Sequence, residues 1–316
     1  MKMVITGVSG FIGGRLLTAA REVHGDDVTA FTSRPDERPH IVYKNPARFQ
    51  LGAAELARIS ETEMLIHAGA FTPKNGAEAN EISGSNSNIE FTQGLLSLPW
   101  PNLKKVVFLS TIDVYANAVG PIDESTPTAP GSLYGLSKLY CERLVTLTAA
   151  ERGFSSCILR IGHVYGPGEE RYAKVLPRAI QNIVDGKDVE LWGDGAELRS
   201  FIYIDDVVAA ILKAVELETS PDVINVVGGN AISIRNLLET LISISSRDVR
   251  IVPRPHAGRT RDFVFNTDRI KRHLLPEEYD LNSGLRDELA HVENNAVREA
   301  AATVLQAGSN PAPTDR

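Results

Sequence analysis

Cysteine is nearly missing from this chain. Only Cys141 and Cys157 occur among 316 residues, in no metal-ligand spacing, which excludes a disulfide scaffold or a cysteine-built zinc site and points to a reducing, cytoplasmic setting. Dense runs of Lys or Arg are missing too. With 33 basic against 40 acidic residues the net charge is −7, a balance that argues against nucleic acid or an anionic membrane surface as partner. Any phosphate recognition must then rest on individual arginines. No apolar stretch approaches the roughly 20 residues of a membrane-crossing helix, and the chain opens on a core-type strand with no charged leader before it. There is no internal repeat. The 43% apolar content is ordinary and excludes a disordered or fibrous chain.

What is present is an alternation. Short β-rich runs (MVIT, VTAF, MLIH, VVFLST, CILRI) are separated by helical patterns over about 10–23, 53–59 and 80–98 and by a helix opening at Ser132, a plausible cap. Such alternation predicts a doubly wound α/β fold, a parallel sheet with helices on both faces. From Gly162 onward the connections lengthen, and Gly and Pro punctuate GHVYGPGEE and LWGDGAELRS. The expected division is a dinucleotide-binding domain over 1–161 and a smaller lobe over 162–304. Residues 201–218 return to the first domain, and 305–316 form a flexible tail.

Directly after the first strand stands TGVSGFIG. Gly7, Gly10 and Gly13 fall where the chain must turn tightly, approach a pyrophosphate and pack a helix on the sheet. The helix amino end would face the phosphates without a basic side chain. At the end of the second strand an NAD-preferring site normally has Asp or Glu; here Thr32 is followed by Ser33 and Arg34. A guanidinium there can pair with a 2′-phosphate, so NADP(H) is favoured over NAD(H), the alternative being that Arg34 is a solvated loop charge. Ala68, Gly69 and Ala70 in HAGA let a cofactor pass close to backbone.

Tyr134 and Lys138 are four apart on a predicted helix and so share a face. A lysine ammonium beside a phenol stabilises the phenolate and makes tyrosine usable in proton transfer. Alone, such a pair is more often a half-buried ring and a solvated amine. Its position alters that reading, because Thr111 ends the fifth strand on the same carboxyl edge of the sheet as the glycine loop.

Taken in order, TGVSGFIG, HAGA, LSTIDVY, YGLSK, LRIGHVYGPG and GDGAELRSFIYIDDVVAAI resemble the extended short-chain dehydrogenase/reductase family, epimerase/dehydratase branch. The resemblance implies a Rossmann-type domain with an interleaved C-terminal substrate-binding lobe. It also implies a triad: Tyr134 as acid/base, Lys138 holding the nicotinamide ribose, Thr111 orienting the substrate. Asn88 matches an asparagine that braces this arrangement, a helix-surface amide being the alternative. The implied cofactor site comprises Gly7, Ser9, Gly10, Phe11, Ile12, Gly13, Ser33, Arg34, Ala68, Gly69, Ala70, Tyr134, Lys138 and His163. Gln50 stands where relatives often place an aspartate against adenine. The implied substrate is a nucleotide-linked sugar held by Thr72, Thr111, Arg199 and, from AGRTRD, Arg259 or Arg261, of which Arg261 enters the candidate set. Each arginine has a surface salt bridge as its alternative. No metal site is expected.

The 4,6-dehydratases of this family carry an Asp-Glu pair after the threonine, whereas this chain has Ile112 and Asp113, and isoleucine cannot donate a proton. The leading expectation is therefore an NADPH-dependent reductase of a nucleotide-linked 4-keto-6-deoxy sugar, followed by a nucleotide-sugar 4-epimerase. A reductase of a non-nucleotide carbonyl compound and a non-catalytic dinucleotide sensor come after these. A homodimer is expected through the YxxxK helix, where Leu136, Leu139, Leu144 and Leu147 suit either an interface or core packing.

Overall fold

The computed structural model describes residues 1–33, 40–43, 49–118, 120–172, 174–219, 221–255 and 261–308, with only the backbone of 171 and 299–308. Its elements in chain order are β1 (Met3–Thr6), α1 (Phe11–His24), β2 (Val28–Thr32), β3 (His40–Val42), α2 (Ala53–Glu61), β4 (Met64–His67), α3 (Ile82–Leu96), β5 (Lys105–Thr111), α4 (Leu133–Arg152), β6 (Ser155–Ile161) and β7 (His163–Tyr165). They continue with α5 (Val175–Val184), β8 (Val189–Trp192), β9 (Leu198–Tyr203), α6 (Ile204–Glu216), β10 (Val223–Val226), β11 (Ala231–Ser233), α7 (Ile234–Ser245), β12 (Ile251–Arg254), α8 (Asp268–His273) and α9 (Leu281–Gly308).

Two compact units divide the chain. The first takes Met1–Val164, Glu197–Ile232 and Arg259–Tyr279. Its centre is a seven-stranded parallel sheet of order β10-β6-β5-β4-β1-β2-β3, the Rossmann arrangement the alternating runs predict. Central strands are covered on both faces by helices, and β1, β2 and β5 are buried at every position. One face packs Val4, Phe31, Leu65, Val106, Phe108 and Ile158 against Ile59 of α2, Phe91 and Leu95 of α3 and Cys141 and Val145 of α4. Helices α1 and α6 pack together, joined at their edge by Arg15 Nε to Asp205 Oδ1 at 2.7 Å.

The start of α4 is set locally. Ser132 accepts a hydrogen bond from the Gly135 N–H at 3.1 Å, a side-chain N-cap, and Gly153 ends the helix in the left-handed region (φ 77°). A buried lysine and an exposed arginine close other helix ends. Lys105 Nζ donates to the carbonyls of Ala214 and Leu217 at the end of α6, and Arg152 Nη1 to that of Leu96 at the end of α3.

The second unit takes Tyr165–Ala196, Ser233–Gly258 and Asp280–Arg316. A two-stranded parallel pair, β8 and β12, accompanies α5, α7 and α9, which pack on one another. Among the described residues no helix is long and apolar enough to cross a membrane.

Candidate active site

The glycine loop is built by backbone contact. Gly7 has φ 72°, and a Cβ there would lie 2.5 Å from the Gly69 N. A Cβ on Gly13 would lie 2.1 Å from the Gly7 carbonyl oxygen. So the loop after β1, the turn after β4 and the first turn of α1 touch through main chain, and side chains of any size would separate them. Gly10 is the N-cap of α1, with no side-chain cap and no acidic residue in the first turn, which leaves the helix amino end to an anion. Ser9 precedes this cap, and Phe11, Ile12 and Gly13 begin the helix.

Behind the loop lies a residue that motif reading passed over. His67, the first letter of HAGA, is buried at the end of β4 between Thr6 Oγ1 (2.8 Å from Nδ1) and Thr92 Oγ1 (3.0 Å from Nε2). The tautomer follows from its neighbours. Thr6 accepts from the Gly69 N–H and so gives its hydroxyl proton to Nδ1, while Thr92 donates to the Asn88 carbonyl and so accepts from Nε2–H. Burial, with the nearby Lys138 charge second, pushes the imidazole down to about 3, so it is neutral and fully hydrogen-bonded at neutral pH. A histidine within an apolar strand run was the available signal.

Asn88 continues the network and is not a surface amide. It is buried, its Oδ1 accepts from the Phe71 N–H at 2.6 Å, and its Nδ2 donates to the Phe71 carbonyl and to Ser137 Oγ, each at 3.2 Å. Ser137 in turn donates to the Tyr134 carbonyl at 2.8 Å. A continuous hydrogen-bonded path thus runs from the glycine loop to the first turn of α4.

Tyr134 and Lys138 are both buried on the inner face of that helix. The Lys138 ammonium sits over the Phe108 ring, 4.2 Å from its centroid, and among the described residues nothing hydrogen-bonds to it. Burial pulls it down to about 8, with Cys141 and Glu142 opposing the fall, so it remains mostly charged at neutral pH. Thr111 is the buried last residue of β5, and its Oγ1 accepts from the Asp113 N–H at 3.2 Å, leaving its own proton to donate. The approach of α4 to this turn depends on Gly135, where a Cβ would lie 2.6 Å from the Asp113 carbonyl oxygen. Ile112 is buried in a small apolar cluster with Val114, Tyr115, Ile122 and Phe265, and Asp113 is exposed.

The structure brings Arg199 and Arg261 together. Arg199 Nη1 donates to the carbonyls of Leu198 (2.9 Å) and Arg261 (2.5 Å), and both guanidinium groups lie over the Phe263 ring, at 5.3 and 4.4 Å. Arg261 also donates to the Ala116 carbonyl at 2.7 Å, close after Thr111, while its buried Nε has no hydrogen-bond partner among the described residues. Burial lowers both guanidinium pKa values; Glu197 and Asp262 oppose this for Arg199, and Asp113 for Arg261. Neither arginine is a simple surface ion pair. His163 packs edge-on to Phe263, with ring centroids 5.1 Å apart.

Other residues of the candidate set stand further from this convergence. Thr72 is exposed after β4, and Ala68 and Ala70 are half-buried beside Gly69. Thr32 is buried at the end of β2, Ser33 and Gln50 are exposed, and Arg34 and Arg259 lie outside the described residues.

The model of the NAD dependent epimerase/dehydratase family matches residues 3–227, and the chain belongs to that family, within the extended short-chain dehydrogenases/reductases. It is similar to a dTDP-4-dehydro-6-deoxy-D-allose reductase of Streptomyces sp, 26% identical over 315 residues, covering 90% of this chain and 94% of the relative. It is also similar to the dTDP-glucose 4,6-dehydratase of Streptomyces griseus, 25% identical over 327 residues, covering 98% and 99%. A solved UDP-glucose 4-epimerase of Thermotoga maritima, with UDP-glucose, shares the fold at TM-score 0.82 and 24% identity, covering 94% of this chain and all of the other. A reductase and a dehydratase of nucleotide sugars are therefore both among its relatives.

Proposed function

We propose that the protein is an NADP(H)-dependent oxidoreductase of a nucleoside-diphosphate sugar, reducing a 4-keto-6-deoxy sugar with Tyr134 as proton donor. The observation that carries this reading is the buried Lys138 ammonium. It shares a helix face with Tyr134, rests on the strand that ends in Thr111, and has no hydrogen-bond acceptor among the described residues. A buried cation in that condition suits the ribose hydroxyls of a dinucleotide.

The residues fit such a cofactor on a second count, since Gly7, Gly13 and Gly69 leave a loop free of Cβ atoms beside an uncapped helix amino end. The glycine loop and α1 would hold the pyrophosphate, Ala68 to Ala70 the ribose, and Lys138 the nicotinamide ribose, with His163 alongside. When bound, the cofactor supplies the hydride. Tyr134, on the same helix face as the Lys138 cation, would protonate the sugar oxygen while Thr111 donates a hydrogen bond to it. Arg199 and Arg261 would meet the substrate diphosphate, and Thr72 would line the sugar.

The preference for NADP(H) rests on Thr32, Ser33 and Arg34, which put no acidic residue at the end of β2 to accept from the ribose hydroxyls. The family description names NAD, so the choice is tested directly by equilibrium binding of NADPH and NADH with and without UDP-, dTDP-, GDP- and CDP-sugars. Tight NADPH binding and stoichiometric oxidation on a 4-keto sugar support the reductase. Retained cofactor and sugar interconversion without net oxidation would make the protein a 4-epimerase. Dehydration is the weakest of the three chemistries, because Ile112 is apolar and buried.

The same proposal includes a homodimer. Ile82 of α3 and Leu133, Leu136, Tyr140 and Leu147 of α4 are exposed, whereas Leu139 and Leu144 pack into the core. An exposed apolar face on these two helices suits a second copy, and Leu136→Glu should make a dimer monomeric in sedimentation. Buried free thiols at Cys141 and Cys157 accord with a reducing cytoplasm.

A further inference from the structure

One turn beyond Lys138, on the same face of α4, lies a buried carboxylate that the functional reading leaves unused. Glu142 is 4% exposed. Its Oε1 accepts from Ser110 Oγ at 2.6 Å and from Arg160 Nε at 2.9 Å, and its Oε2 accepts from Arg160 Nη2 at 2.7 Å. Ser110 and Arg160 are partners across β5 and β6, so the carboxylate is gripped by two adjacent strands. Phe108, which carries the Lys138 ammonium, is two residues before Ser110 and therefore on the same face of the sheet.

The helix is thus fastened to β5 at two points, four residues apart on α4. The Glu142 contact is a bidentate, fully enclosed ion pair; the Lys138 contact is a cation over a ring, with little directional preference of its own. The rigid contact sets the position of the soft one. Arg160 is held from its far side as well. It lies 4.7 Å from the Tyr115 ring, whose hydroxyl donates to Asn225 Oδ1 at 2.7 Å, and the Asn225 N–H donates to Glu124.

We infer that Glu142 is a positioning residue for the Tyr134–Lys138 face: clamped by Arg160 and Ser110, it pins α4 to β5 and β6 and supplies the negative charge that keeps the neighbouring Lys138 ammonium charged in its buried site. The groups around that ammonium are consistent with this. From β4 it meets neutral His67, from β5 an apolar ring, and from its own helix Tyr134, Cys141 and Glu142. Of these, Cys141 and Glu142 counter the burial that lowers the lysine, and Glu142 is the carboxylate held in an ion pair with Arg160. Around the carboxylate itself stand Ser110 from β5, Arg160 from β6 and, beyond the guanidinium, Tyr115 and Glu124.

The inference builds on the proposed role of Lys138, but its test needs neither sugar nor cofactor. In full-length, cofactor-free protein labelled with 13C-lysine, NMR titration follows the Lys138 side chain, assigned with Lys138→Arg. The wild-type midpoint is expected at about 8. In Glu142→Gln the guanidinium of Arg160 is left uncompensated, and the midpoint should fall by about one unit or more. The double variant Glu142→Gln/Arg160→Met removes both charges, a replacement that buried pairs often tolerate, and should lie between the single variant and wild type. That order is an electrostatic signature, which a loss of packing alone would not produce. An unchanged midpoint in Glu142→Gln overturns the inference. If the single variant does not fold, a double-variant midpoint at or above the wild-type value overturns it. An inactive but titrating protein would fail the proposed function while leaving this inference standing.

Discussion

The two halves of the candidate site are made from different material. Around the glycine loop the work is done by main chain: Gly7, Gly13 and Gly69 allow backbone to approach backbone where any side chain would intrude. From the end of β4 across to α4 it is done by buried polar and charged side chains, His67, Asn88, Lys138, Glu142 and Arg160, each set by partners from distant parts of the chain. The first half is insensitive to protonation. In the second, burial alters proton affinities, because removing water penalises charge unless a partner compensates it. A backbone site should therefore fail all at once when a Cβ is added, whereas a side-chain site should fail one function at a time.

The largest expected effect breaks the second half alone. Tyr134→Phe should lower turnover by about a thousandfold while leaving the affinity for the dinucleotide unchanged, as read by steady-state kinetics beside a binding titration. A non-catalytic sensor would show no rate to lose. Gly13→Ala should break the first half: its Cβ, 2.1 Å from the Gly7 carbonyl oxygen, forces main chain to move. About 3 kcal/mol of stability and most of the cofactor affinity should go together, measured by urea unfolding and by the same titration.

His67 sharpens the contrast through pH. Its folded value, about 3, lies below the ordinary value of 6.5, so the unfolded chain takes up the proton first. Stability from the neutral imidazole is complete above 6.5 and is lost as pH falls from there toward 3. Between pH 7 and pH 5 this one group should remove about 2 kcal/mol, and His67→Gln should flatten that slope in urea titrations at the two pH values. The smallest effect is Ser132→Ala, which removes the N-cap of α4 and should cost about 1 kcal/mol, with cofactor affinity preserved. A loss of affinity there would mean that the start of α4 and the glycine loop are coupled more tightly than their separate construction implies.

Legibility follows the same line. The glycine loop could be read because the demand for a left-handed or Cβ-free residue is local, and Gly7 does adopt φ 72°. The spacing of Tyr134 and Lys138 placed both on one helix face by periodicity alone, and Ser132 announced the helix start. The leucines of the same helix could not be sorted: Leu136 and Leu147 are exposed, Leu139 and Leu144 packed, and only the neighbouring surface distinguishes them. Arg261 joined the set through a resemblance, and nothing in its local sequence announced that its guanidinium would meet the Ala116 carbonyl, 145 residues earlier.

By itself, then, the sequence determined the alternation of strands and helices, the backbone turn at the glycines, the shared face of Tyr134 and Lys138 and the motif order that marks the family. Each depends on periodicity or conformational preference within a few residues. Tertiary structure alone decided which polar residues are buried and with whom: His67 between Thr6 and Thr92, Glu142 against Arg160 and Ser110, Arg199 beside Arg261. Burial and pairing are properties of the packed chain, and the charge state of Lys138 depends on them.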